Sequence, residues 1–289
     1  MIYGLKYLNI VNTIMKNINI ENEYKRLLSE ILDRGSDKED RTGTGTKSVF
    51  GRTIRHNMSL GFPILTGKKI SFNAARTELL WILNGRTDLK YLEHHGVKYW
   101  RPDYERSGRT DETLGPVYGK QWRDFNGVDQ LQNLVYSINT NPDSRRLIVS
   151  AWAPHELDEM ALPPCHYAFQ VYINNGVMDL MWQQRSADVF LGLPYDISMY
   201  GLLLEMLAKG AGLIPGELIG QLGDCHLYNN HLGQAREYRR RLKKPLPQLE
   251  LNRGITLCNN RISIPEKNEI KLINYNPYAA IKAELSVGK

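Results

Sequence analysis

The chain has 289 residues, 42% of them apolar, enough to bury a sizeable core as one large domain or two small ones. Its net charge of +6, from 37 basic and 31 acidic residues, suits an anionic partner but does not separate a small anion from nucleic acid. Three cysteines, Cys165, Cys225 and Cys258, are widely spaced and form no CxxC pair, which excludes a disulfide framework and a zinc knuckle and makes the cytoplasm the expected compartment.

The first 22 residues mix Ile, Leu, Tyr and Met with Lys6, Asn9, Asn12 and Lys16. Their apolar stretches are too short to span a membrane or to serve as a signal-peptide core, so residues 1–22 are expected as an amphipathic extension, or as the product of a start codon placed early, before a single domain over 23–289. No Pro/Ser-rich linker, low-complexity tract or internal repeat divides that domain. ENEYKRLLSEILDRG carries Tyr24, Leu27, Leu28, Ile31 and Leu32 at helical spacing and stops at Gly35. DRTGTGT at 40–46 is a polar turn around Arg41, and its backbone donors beside a guanidinium suit a phosphate. KSVFGRTIRHNMSL reads as a hairpin.

AARTELLWILNG at 74–85 is an apolar helix closed by Asn84-Gly85, with Glu78 among Leu79, Leu80, Trp81 and Ile82. A carboxylate at the solvent edge of such a helix is ordinary. If it is buried instead, desolvation raises its pKa toward a value useful for moving protons. The segment from Thr87 to Trp122 is polar and reads as loop-rich. NPDSRRLIVSAW then gives a turn, Arg145 and Arg146, and a strand on which adjacent side chains point opposite ways. His94 and His95 read as surface residues, and the spacing of His226 and His231 lacks a partner carboxylate, so no metal site is expected.

Residues 162–200 hold the densest chemistry. Cys165 follows Pro163-Pro164, which fix the backbone, and precedes the strand AFQVYI. The Asn174-Asn175-Gly176 turn returns the chain as VMDLMWQQR, so that Arg185 can come level with Cys165, where a guanidinium favours the thiolate. Alone, Cys165 reads equally as a small buried hydrophobe. DISMYGLLLEMLAKGAG is a long buried helix with Asp196 near its start, where Asp is often only an N-cap.

LPPCH, QRSADVFLGLPYDISMY and GDCHLYNNH, together with DRTGTGT, LGPVYGKQWRDF and NPDSRRLIVSAW, resemble the thymidylate synthase family in content and order. The ending YNPYAAIKA resembles the family's tail, although this chain continues as ELSVGK. The resemblance covers nearly the whole chain. It implies an α+β fold with a large mixed β-sheet, flanking helices and a sheet-to-sheet homodimer. The co-substrate would be 5,10-methylenetetrahydrofolate.

By the same resemblance, Cys165, Glu78, Asp188, Tyr118 and His166 are the expected catalytic set. Arg41, Arg185, Ser186, Asp196, His226 and Tyr228 would hold the nucleotide, with Arg145 and Arg146 reaching into the partner's phosphate site. Lys68, Trp100 and Asp188 would line the folate side, and Lys69 matches a position near its mouth. The family's acidic residue after the tryptophan is Arg101 here. Its pyrimidine-reading asparagine is Asp196.

Asparagine offers a donor and an acceptor, matching uracil, whereas an aspartate accepts from the exocyclic amine of cytosine and, when protonated, donates to nitrogen 3. The same Asp occurs in deoxycytidylate hydroxymethylases that resemble thymidylate synthase, and Ser186 matches the deoxynucleotide enzymes. The expected reaction is therefore one-carbon transfer to carbon 5 of dCMP, as hydroxymethylation. Methylation of dCMP and conversion of dUMP to dTMP are the alternatives within the family. A nucleic-acid-binding protein with a degenerate site is the alternative outside it, opposed by the intact Cys165, Glu78, Arg185 and Asp188.

Overall fold

The computed structural model describes residues 18–286. Most of the extension expected at 1–22 therefore lies outside the described residues. Helix α1 (Ile20–Arg34) opens with the Asn19 side chain accepting from the Glu21 amide, and the Gly35 N–H closes onto Ile31 O at its end. Its periodic Tyr24, Leu27, Leu28 and Ile31 are all buried.

Six strands form one sheet: β1 (Ser36–Lys38), β2 (Thr46–Asn57), β3 (Ile148–Ser150), β4 (His166–Asn174), β5 (Val177–Asp188) and β6 (Ile214–Tyr228), in the order β1-β2-β6-β5-β4-β3. Only β5 and β6 run parallel, and the other neighbours are antiparallel, so the sheet is mixed. The tight β4–β5 turn uses Asn175 and Gly176 with φ of 49° and 78°, the left-handed pair that matches strand twist. The hairpin expected within KSVFGRTIRHNMSL is not formed. Gly51 takes a φ of 70° without reversing the chain, and the ladder to β6 runs on either side of it from Phe50 opposite Asp224 to Arg52 opposite Leu222.

The parallel step from β5 to β6 requires a crossover, supplied by α7 (Leu193–Gly210), which is buried along most of its length. It packs on β5, β6 and α2 (Phe72–Leu83), so that Leu180, Trp182 and Leu218 of the sheet share one core with Leu203, Leu207, Leu79 and Ile82. The segment expected to be loop-rich contains three one- to two-turn helices: α3 (Leu89–His94), α4 (Arg101–Arg106) and α5 (Tyr118–Arg123). Arg101 ties α4 to α3 and to the following loop by pairing with both Glu93 and Glu112. Helices α6 (Gln130–Thr140) and α8 (Leu232–Arg240) flank the sheet. Short strands β7 (Gln248–Leu251) and β10 (Ile270–Ile273) pair with each other, as do β8 (Thr256–Cys258) and β9 (Arg261–Ser263). The architecture is the expected α+β class. No helix among the described residues is long and apolar enough to cross a membrane.

Candidate active site

A cavity of about 510 Å³ opens where β5 ends and α7 begins, within the range of small-molecule sites. Cys165 stands one residue before β4 and lines it. Its N–H donates to the Tyr118 hydroxyl oxygen at 2.9 Å, and its carbonyl accepts from the Arg185 N–H at 2.8 Å. The Arg185 guanidinium donates to the Pro164 and Pro163 carbonyls at 2.9 and 3.0 Å, which pins the rigid Pro-Pro approach against β5. Arg185 favours the thiolate, as expected, but its effect is not the largest at this sulfur. Burial pushes the Cys165 thiol up to about 11, outweighing the downward pull of Arg185 and Arg41.

Glu78 of α2 is buried in the cavity wall. One oxygen accepts from the Trp100 indole N–H at 2.6 Å and the other from the Tyr99 hydroxyl. Burial raises its pKa, and the two hydrogen bonds oppose that rise only in part. Tyr99 was not legible as a functional residue. Its position beside Trp100 on a polar segment was the only signal.

Asp196 lies in the first turn of α7, but the helix is capped by Gly192 without a side-chain bond, so Asp196 is no N-cap. Oδ2 accepts from Gln184 Nε2 at 2.8 Å, while Oδ1 lies 4.0 Å from His166 Nε2. Burial pushes this carboxyl up to about 7, helped by the charges of Glu78 and Asp188. His166 stacks on Tyr118 with ring centroids 4.3 Å apart, and its Nδ1 meets the Tyr200 hydroxyl at 2.8 Å. Burial lowers its pKa to about 3, so the imidazole is neutral at physiological pH.

Ser186, Asp188, His226 and Tyr228 also line the cavity. Asp188 Oδ1 accepts from the Phe190 and Leu191 amides, both at 3.0 Å, which fixes the turn into α7. His226 is held against Asp224 at 3.4 Å; burial works against its protonated form, but Asp224 and Asp188 leave its pKa raised.

Arg41 is in the wall, yet the phosphate cradle expected of its loop is contradicted. The amides of Thr42 and Gly45 are taken by the Asp40 carboxylate, that of Gly43 by the Asp40 carbonyl and that of Thr44 by the Thr42 hydroxyl. Those four amides are spent within the turn itself.

Three expected residues lie away from this wall. Lys68 is buried behind it, donating to the Phe190 carbonyl with its ammonium 3.7 Å from that ring's centroid, and burial lowers its pKa to about 8. It is a support beneath the Asp188–Leu191 turn rather than part of the folate side of the cavity. Arg145 and Arg146 are exposed in the turn before β3. Arg101, whose identity departs from the family pattern, also lies outside the wall. The tail does reach the site: Leu285 and Ser286 line it, and the Glu284 carbonyl meets His231 Nε2 at 2.7 Å.

The cavity thus joins a half-buried thiol, a carboxyl of raised pKa held by two aromatic donors, and a second carboxyl whose pKa is pushed up to about 7. Trp100, Tyr99 and Tyr195 add aromatic surface to the lining. That set suits covalent addition to a flat heterocycle with proton transfer nearby. A family model described as thymidylate synthase matches residues 22–287.

Proposed function

Given that the chain belongs to the thymidylate synthase family, whose members transfer a one-carbon unit from a folate to a pyrimidine nucleotide, we propose that its substrate is dCMP and its product the 5-hydroxymethyl nucleotide. The observation that carries the choice of base is Asp196, a carboxyl that shares the cavity with Cys165 and is held near half-protonation at neutral pH. In the neutral form one oxygen donates to cytosine nitrogen 3 while the other accepts from the exocyclic amine. Uracil presents a proton at nitrogen 3 and an oxygen at carbon 4, which reverses both contacts.

The cavity residues fit methylenetetrahydrofolate. Trp100 and Tyr195 offer aromatic surface and Leu191 apolar surface for a pterin, and the Asp188 carboxylate lines the same cavity. When bound, the folate supplies a one-carbon unit at the oxidation level of formaldehyde. Cys165 gives its proton to water and adds through sulfur to carbon 6, which makes carbon 5 of the base nucleophilic; once carbon 5 carries the one-carbon unit and water has added to that unit, the sulfur leaves carbon 6 and the ring double bond returns. Glu78, with its raised pKa, takes the proton from carbon 5. Asp196 holds the base in register. Neutral His166, stacked on Tyr118, keeps the floor beneath the base free of competing charge.

Phosphate binding argues for a homodimer. Seven carboxyl groups line the cavity against Lys38, Arg41 and Arg185, and Lys38 is paired with Asp224 at 2.8 Å. Further guanidinium groups would add charge-assisted, bidentate pairing to a dianionic phosphate. Exposed Arg145 and Arg146 of a second copy would provide it, docked through the outward sheet face where Phe50 is 79% exposed beside Arg52 and Tyr167.

Tritium release from carbon 5 tests the substrate choice, because it reports attack at that carbon whatever the product. With methylenetetrahydrofolate present, 5-tritiated dCMP should release label far faster than 5-tritiated dUMP. A preference for dUMP overturns the reading.

A further inference from the structure

Asp196 stands at the end of a line of side chains that leads back into the sheet. Trp182 of β5 is fully buried, its ring stacked on Tyr200 of α7 at 5.3 Å with only 6° between the planes. Its indole N–H donates to Oε1 of Gln184, 3.0 Å away. Gln184 is 3% exposed, and its Nε2 donates to Asp196 Oδ2 at 2.8 Å and to the Ser186 carbonyl at 3.0 Å.

An indole N–H can only donate, so it accepts only the oxygen end of the amide and leaves the nitrogen end toward Asp196. The Ser186 carbonyl, which can only accept, holds the nitrogen end in the same sense, and the indole adds the second constraint against a 180° turn that would offer the oxygen instead. With it, Asp196 Oδ2 faces an N–H permanently. An oxygen that already accepts that N–H is the less basic of the two, so a proton on Asp196 is favoured on Oδ1, the oxygen on the His166 side.

We propose that Trp182, acting through Gln184, is a positioning residue for base selection, fixing the Asp196 proton on Oδ1 so that Oδ1 donates to cytosine nitrogen 3 and Oδ2 accepts from the exocyclic amine. The proposal rests on the reading of Asp196 given above. Trp182 does not line the cavity, so it acts without touching substrate. The fit around it is tight, since a Cβ on Gly220 would come within 2.5 Å of the indole, and the ring therefore has no room to leave its hydrogen bond.

The groups around Asp196 come from every neighbouring element. Glu78 of α2 and Asp188 of β5 oppose its ionisation, Gln184 favours it, and burial dominates. Tyr99, Tyr118 of α5, Tyr200 and Cys165 also feel its charge, and all of these are driven toward their neutral forms by burial. His166 of β4 is neutral. Among the described residues, Gln184 is therefore the only group shown hydrogen-bonded to the carboxyl that favours its charge, and turning its amide would shift a titration that burial dominates.

Trp182→Phe keeps an aromatic ring against Tyr200 and deletes the N–H. In the tritium-release assay the dCMP to dUMP ratio of kcat/KM should fall about tenfold or more, the effect of mispairing a buried polar group. The decline of dCMP use at high pH should also move to higher pH, because an amide oxygen turned toward the carboxyl favours its neutral form. If Trp182 is only core, both substrates lose activity alike and the pH profile stays in place, which overturns the proposal. Gln184→Glu carries the test if the phenylalanine variant does not fold. The indole would hold one glutamate oxygen, the other would face Asp196, and two carboxyls sharing a proton must push the profile upward. An unmoved profile overturns the proposal here too. Asp196→Asn assayed alongside separates the two claims. If it leaves the base ratio unchanged, the Asp196 reading fails and takes the lock with it. If it moves the ratio while Trp182→Phe and Gln184→Glu do not, the lock alone fails.

Discussion

Replacing Asp196 by Asn should stabilise the protein without ligand, and by more at pH 8 than at pH 5. The carboxyl is raised from an ordinary 3.8 to about 7, chiefly by burial. A folded pKa above the unfolded one means that the fold binds the proton more tightly. The stability linked to it is complete below about pH 4 and is lost as pH climbs through 7. At 1.36 kcal/mol per pH unit, ionised Asp196 costs roughly 4 kcal/mol at pH 8 but under about 2 kcal/mol at pH 5. Asparagine has nearly the same shape, cannot ionise, and its Oδ1 can still accept from Gln184 Nε2. Glu78, Cys165 and His166 titrate in both proteins, so their effects largely cancel in the difference. Urea unfolding at equal protein concentration, at pH 5 and pH 8, measures it. The advantage of Asn should grow by about 2 kcal/mol or more between the two pH values. An advantage that is constant with pH, or a loss at pH 8, would refute the argument that this carboxyl is held against its charge.

Cys165→Ser should abolish tritium release while nucleotide binding, read by calorimetry, stays within about threefold, because an alcohol is a far weaker nucleophile at neutral pH. Retained turnover would contradict the assignment of Cys165. Tyr99→Phe removes one of the two donors to Glu78 and should raise that carboxyl's pKa further, lowering kcat about tenfold at pH 7 and moving the acid limb of the kcat profile upward. An unmoved acid limb separates Glu78 from proton transfer. Mixing inactive Arg185→Ala with inactive Arg146→Ala chains should restore part of the activity, because one of the two sites in a heterodimer would keep both arginines. No recovery in a verified heterodimer would place the whole site within one chain.

Elements whose rule is local could be read from the sequence. The 3.6-residue spacing of Tyr24, Leu27, Leu28 and Ile31 marked α1, and Asn175-Gly176 marked the β4–β5 turn. Cys165 and Arg185 were legible as neighbours because a proline pair and a hairpin constrain where each can go, whereas Asp196 was assigned to the same site only through the family resemblance. What failed was decided by partners distant in sequence. Gly51 looked like a turn, but β6 supplies a ladder that carries an extended chain through a positive φ. The DRTGTGT loop looked like an anion cradle because nothing local says that Asp40 will take its donors. Lys68 was misplaced for a similar reason: Phe190, 122 positions away, holds its ammonium. Gln184 and Trp182 passed unnoticed, although strand alternation sets both on the inner face of β5 with Met178 and Leu180. A polar side chain at the end of an apolar stripe was the available signal. The pull of Arg185 on Cys165 was legible, but the larger effect of burial depends on the closed cavity and was not.

Product identity tests the central claim most directly. Incubating the protein with methylenetetrahydrofolate and dCMP, then reading the nucleotide's mass while following dihydrofolate by absorbance, separates the outcomes. The account predicts a nucleotide heavier by one CH2O unit, about 30 mass units, with no dihydrofolate, since addition of water leaves the folate unoxidised. A gain of one CH2 unit with stoichiometric dihydrofolate, or turnover only with dUMP, would contradict it.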